Sequence, residues 1–284
     1  MPSEISGINM VLVQGGTALT DQTSATLTST PELAESVVKN TNFPNRLPGD
    51  QDWTLSLESQ IPDDQGKDAL VNGSASVDLK VDTTDDSTGS PQLETLPGVQ
   101  SLTVSLDQEL QEVPPGIDEA TGWSYYVALR QDYEIEVEGH YYDPANDSAI
   151  YDAVHEAREN GNTLEGEINV LGVTLAGSFA ADDFELAAGT DDPATQTLPF
   201  MGSGGLTQTG SFESSVDGLL DLFFSQNTAT VGLQHEKGGT VVSGSTIWEG
   251  DAFLSSAELT LERNSFPSLS AELQGTGALS RVTQ

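Results

Sequence analysis

The chain has 284 residues, no cysteine, and 45 Asp plus Glu against 9 Lys plus Arg, for a formal net charge of −36. Lacking cysteine, it has no disulfide, thiolate nucleophile or cysteine-ligated metal, and its acidity argues against wrapping DNA or binding anionic membranes, where Lys and Arg supply the phosphate contacts. The acids are spread along the chain instead of blocked at one end, the pattern of a folded protein suited to concentrated salt, where screening shortens to about 3 Å at 1 M.

The start, Met1-Pro2-Ser3-Glu4-Ile5-Ser6, has no basic stretch leading into an apolar run, so no export signal is expected. No segment approaches the roughly 20 apolar residues of a membrane span. The expectation is a chain made in the cytoplasm, soluble there and without membrane insertion.

Met10–Gln14 reads as a strand, Gly15-Gly16 as a turn and Ala25–Thr28 as alternating β structure. Asn40–Gln51 is rich in Asn, Pro and Gly and is expected to be an extended loop. It leads into the aromatic-headed strand Asp52–Glu58. A strand at Ala75–Val81 precedes the polar run Asp82–Ser90, whose carboxylates suit a hard cation but lack the calcium-loop spacing, so it reads as a solvated loop. Ser101–Leu106, then Trp123–Val127 and the cleanly alternating Asp132–Gly139 follow, the last repeating the pattern of Asp52–Glu58. Ser211–Gly218 is a weaker third echo.

A helix is expected from Asp143, with Asp143 as N-cap, Pro144 at the first helical position, an apolar stripe of Ala149, Ile150, Ala153, Val154 and Ala157, and Gly161 as terminator. A shorter helix is expected over Ser215–Gln226. Strands follow each one: Glu167–Leu171, Val173–Phe179 and Asp183–Leu186 after the first, Thr230–Gln234 and Thr240–Trp248 after the second. A closing hairpin pairs Ala257–Glu262 with Leu269–Gln274. Met201–Thr207 and Gln274–Ser280 read as matching glycine-rich exits. Helix, strands and glycine-rich exit thus occur twice, pointing to an internal duplication. The units expected are 1–108, 109–208 with a helix at about 143–160, and 209–284, which completes the first unit if the copies are nested. Tandem and nested arrangements both remain open on the sequence.

Chemistry is sparse. His140, His155 and His235 form no i, i+4 pair and no H-E-x-x-H, with His235 expected in a turn. There is no G-x-S-x-G, S-x-x-K or phosphate-cradling loop. No catalytic residue, metal or cofactor is expected, and with 45 acids a chance carboxylate pair carries no information.

Several stretches together resemble the major tail tube proteins of long-tailed, siphovirus-like viruses. They are Met10-Val11-Leu12-Val13-Gln14-Gly15-Gly16-Thr17-Ala18-Leu19-Thr20, the arm ending Asn45-Arg46-Leu47-Pro48-Gly49, the strand Asp52–Glu58 and the terminal Leu273-Gln274-Gly275-Thr276-Gly277-Ala278-Leu279. The resemblance covers residues 7–60 and 229–280, and more loosely 123–204. It implies a mostly β sandwich or barrel with one or two short helices, internally duplicated here, and a virion protein that is not an enzyme. With the charge, it implies a virus of a haloarchaeon. The partners implied are further copies in stacked rings (homotrimeric and pseudo-hexameric, or homohexameric), other tail proteins, and viral DNA passing without specific binding. Phe43, Arg46, Leu47, Leu269 and Leu273 are candidates for contacts between subunits, and Glu134, Glu136, Glu138, Glu258 and Glu262 for the lumen wall. The competing expectation is a halophilic cell-surface or S-layer-associated adhesin or carbohydrate-binding β-sandwich, and a secreted hydrolase comes third.

Overall fold

The computed structural model describes residues 9–14, 17–18, 22–36, 45–60, 78–83, 92–113, 123–140, 148–170, 173–183, 185–187, 194–211, 214–237, 240–241, 246–262, 265 and 267–283. In chain order the strands are β1 (Asn9–Gln14), β2 (Thr17–Ala18), β3 (Gln22–Ser36), β4 (Asn45–Gln60), β5 (Asp78–Asp82), β6 (Leu93–Thr95), β7 (Val99–Val113) and β8 (Tyr125–His140). Helix α1 (Ser148–Asn160) follows. Next come β9 (Thr163–Val170), β10 (Val173–Ala181), β11 (Glu185–Ala187), β12 (Thr195–Gly202), β13 (Thr207–Thr209) and helix α2 (Ser214–Ser225). The chain closes with β14 (Ala229–Lys237), β15 (Thr240–Val241), β16 (Thr246–Glu262) and β17 (Ser268–Thr283). The protein is mostly β, as expected, with every strand in one antiparallel sheet.

Two routes through this sheet have the same order. One runs β3–β4–β17–β16–β14–β1 and the other β7–β8–β12–β10–β9–β5. Their registers coincide. Leu55 lies between Leu27 and Leu273, while Ile135 lies between Val104 and Phe200. The irregularity at Gln22/Ser24 recurs at Val99/Ser101, and that at Pro31/Leu33 recurs at Glu109/Leu110. Ala252 faces Gly275 and Ala229 in the first route, and Phe179 faces Gly202 and Leu164 in the second.

The helices sit at corresponding places, α1 against β10 and β9 and α2 against β16. Helix α1 ends in a Schellman motif: Gly161 has φ +66°, its N–H donates to the Arg158 carbonyl (3.2 Å), and the Asn162 N–H donates to that of Ala157 (2.8 Å). Val154 and Ala157 are buried as the stripe requires, joined by Tyr151. The expected cap at Asp143 and Pro144 lies outside the described residues, as does most of Asp82–Ser90.

Four expectations are corrected. Asn45–Gln51 is strand and not loop, because β3 supplies a partner for each backbone: Ala34 faces Leu47, Glu35 faces Arg46, and the irregularity at Pro31/Leu33 accommodates Pro48. Gly275–Leu279 is not an exit but part of β17: Gly275 and Thr276 pair with β16, and the next three residues form an irregularity before the pairing resumes at Ser280. Ser214–Gly218 begins α2, so Ser211–Gly218 is no third copy of the aromatic-led strand. His235 stands in β14 opposite Met10, not in a turn.

Candidate assembly face

The long strands alternate strictly. On one face Leu55, Leu57, Leu102, Val104, Ile135, Val137, Leu259 and Leu273 are all 4% exposed or less and belong to a single core. The other face is polar. Across it, residues directly opposite one another form the row Ser24–Glu58–Ser270–Glu258–Ser105–Glu134, crossing β3, β4, β17, β16, β7 and β8. A second row reads Glu262–Ser101–Glu138–Thr197–Glu185. Glu136 lies between Thr103 and Pro199, and Glu272 between Ser256 and Ser56.

No glutamate in these rows has an acid directly opposite. Strands lie about 4.8 Å apart, so alternation moves carboxylates in one row to about 10 Å, halving their repulsion from about 0.9 to 0.4 kcal/mol per pair at the dielectric of water. The intervening hydroxyls also serve the carboxylates. Ser24 Oγ donates to Glu58 Oε2 (3.0 Å), and at the corresponding place Ser101 Oγ donates to Glu138 Oε2 (3.2 Å). Glu134, Glu136, Glu138, Glu258 and Glu262 are therefore brought together on one face, all exposed except the half-buried Glu134.

Leu269 and Leu273 lie on the opposite face, 2% and 0% exposed. They are committed to this chain's own core and have no surface to offer a neighbour. Arg46 and Leu47 are in β4 facing β3, and Phe43 lies outside the described residues.

Sequence reasoning missed a polar cluster around Asp52. Its Oδ1 accepts from the Trp53 N–H (2.9 Å) and Gln274 Nε2 (2.6 Å), and its Oδ2 from the Tyr126 phenol (3.0 Å). Burial, followed by the hydrogen bond to Asp52, pushes the Tyr126 phenol up to about 12. Nearby, Ser124 N–H donates to the Gln51 carbonyl (3.0 Å) and Gly277 N–H to that of Ser124 (2.8 Å), so the start of β8 is tied to β4 and β17. The cluster joins the two routes. Its only signal in the sequence is the Asp-aromatic opening shared by Asp52-Trp53 and Asp132-Tyr133.

Among the described residues, no group of three His, Asp or Glu is placed to hold a metal ion, and no helix is long and apolar enough to cross a membrane. Among the described residues, one concavity of about 500 Å³ is lined by Gln131, Leu206, Asp221 and Phe223 among others.

No protein-family model matches the chain, and neither does any curated protein. Among solved structures it is similar to a chain from the tail of an empty gene transfer agent particle with C6 symmetry, at 20% identity and a TM-score of 0.39. That match covers 47% of this chain and 96% of the other. A chain from the virion of a native gene transfer agent particle is similar at 18% identity and a TM-score of 0.38, with the same coverage.

Proposed function

We propose that the chain is a structural protein of a viral tail, assembling with copies of itself into stacked rings that form a hollow tube for the genome. The observation that carries this is the acid–hydroxyl face, continuous across the long strands, with the chain's whole core behind it. A curved wall needs such a one-sided sheet, and closing it on itself removes the edge strands that would otherwise aggregate. Facing a lumen, the carboxylates would repel DNA phosphates, so DNA passes without sticking. Glu134, Glu136, Glu138, Glu258 and Glu262 are the residues we assign to the lumen wall. The net charge of −36 fits a particle made in a hypersaline host, since near-molar salt screens the repulsion within a ring.

We further propose that the chain is a nested duplication. One unit comprises β1–β4 with α2 and β14–β17, and the other, β5–β13 with α1, is inserted within it. These boundaries replace cuts at 108 and 208, and the support is the shared registers. With two units per chain, a ring of six units takes three chains, whereas six chains would make twelve.

Negative-stain electron microscopy of the purified protein near 1 M salt tests the assembly. Hollow rings or short tubes are the expected result. Monomers at every salt concentration would defeat the reading and return the cell-surface β-sandwich to first place.

A further inference from the structure

Within the chain, the two routes are joined along one edge. Ser256–Glu262 of β16 pairs with Ser101–Asp107 of β7, and Leu259 stands opposite Val104. In the second route β7 takes the place of β3. The place of this half of β16 is taken by β11, since Leu186 faces Gln196 as Leu259 faces Leu269, and Gln196 faces Gly139 as Leu269 faces Ser59. Among the described residues, β3 is paired with β4 alone and β11 with β12 alone. The outer edges of these two strands are the counterparts of the two edges that make the internal joint.

The incomplete burial of β3 points the same way. Ala25 and Leu27 are half-buried, whereas their counterparts Leu102 and Val104, which β16 covers, are 0% and 1% exposed.

We infer that β3 of one protomer pairs antiparallel with β11 of a second copy of this chain, in the register of the internal joint. Thr26 then stands opposite Ala187, Leu27 opposite Leu186 and Thr28 opposite Glu185. This rests on the tube reading and names the contact that builds the ring. The Leu27–Leu186 pairing repeats the register of Val104 and Leu259. On the polar face Glu185, already opposite Thr197, gains Thr28 on its other side, so the alternation of acid and hydroxyl continues from one protomer to the next. Each protomer uses one edge of each kind, a head-to-tail contact that closes by rotation.

The chain has no cysteine of its own, which makes cross-linking clean. Residues directly opposite on antiparallel strands have Cβ atoms about 4.5–5.5 Å apart, within reach of a disulfide after small adjustment. T26C chains mixed with A187C chains, assembled near 1 M salt and oxidised, are expected to give a covalent dimer on a denaturing gel. The T26C/A187C double variant is expected to give a ladder. T30C mixed with A187C, out of register by four residues, is expected to stay monomeric. Rings that form without the T26C–A187C cross-link, or that cross-link equally through T30C, would overturn this interface and leave the tube reading standing. Wild-type protein that stays monomeric throughout would overturn both.

Discussion

The indole of Trp53 lies on Gly275 so closely that a methyl group at that glycine would stand 2.0 Å from Cε2, and Gly250 meets the same ring at 2.6 Å. Tyr133 stands in the same relation to Gly202 and Gly177, at 2.5 and 2.6 Å. Two aromatic residues, each following an aspartate that accepts its own backbone N–H, thus rest on two glycine pairs at matching places in the two routes. Polar tips complete the anchors. Trp53 Nε1 donates to the Gly277 carbonyl at 3.1 Å, and the Tyr133 phenol donates to that of Ser178 at 2.7 Å.

Gly275→Ala and Gly202→Ala are therefore expected to destabilise the protein comparably, each by about 1–3 kcal/mol as overpacked core substitutions do. Gly205→Ala, with nothing within 4 Å of the new methyl group, should stay within about 0.5 kcal/mol. Chemical denaturation midpoints provide the comparison. A Gly202→Ala variant as stable as Gly205→Ala would show that the two anchors are not equivalent.

Tyr126 sets an alkaline limit. Its pKa is raised from 10.0 to about 12 in the folded protein, so the neutral phenol is favoured by folding. That contribution is fully present below pH 10 and is lost as pH rises from 10 through 12. Tyr126→Phe should remove this loss and flatten the stability profile in that window. Denaturation midpoints across the range test it, and identical slopes for variant and wild type would contradict the assignment.

The polar face makes a prediction about DNA. Glu258→Lys and Glu136→Lys place cations between hydroxyl or apolar neighbours without crowding the core. Assembled particles of the double variant should retain duplex DNA at low salt and release it as salt rises, whereas wild-type particles should retain none. Retention measured against salt concentration decides it, and equal, negligible binding by both proteins would remove these residues from the lumen.

Gln108 lies 5% exposed in β7, and neither polar atom of its side chain has a hydrogen-bond partner. Gln108→Leu, similar in size, should relieve an unsatisfied amide and stabilise the chain by about 1–3 kcal/mol. A higher denaturant midpoint at unchanged slope is the expected reading. A lower midpoint would show that the amide is satisfied by groups beyond the single chain.

The strands that alternate cleanly were legible because each carries its own two-sided pattern, as Asp132–Glu138 does. The acidic face was legible for the same reason, and all five expected glutamates share it. What escaped depends on partners distant in sequence. Pro48 and Gly49 look like loop residues until β3 lies beside them. Gly275 looks like part of a glycine-rich exit until Trp53, more than two hundred positions earlier, is seen to occupy the space a side chain would fill. Leu269 and Leu273 fit an exposed seam equally well in the sequence, and only the neighbouring strands β4 and β16 show them to be interior. Asp52 gives no local sign that Gln274 and Tyr126 converge on it.

The pairing of β1 with β14, in which Leu12 faces Leu233, also dictates an order of events on the ribosome. Synthesis at about 5–20 residues per second leaves Leu12 without its partner for roughly 10–45 s, while the whole inserted set of strands has already emerged. Strands β5–β13 can therefore pair with one another while β1 and one edge of β4 still wait for β14 and β17. Those two edges stay open to other chains until the polypeptide is nearly finished.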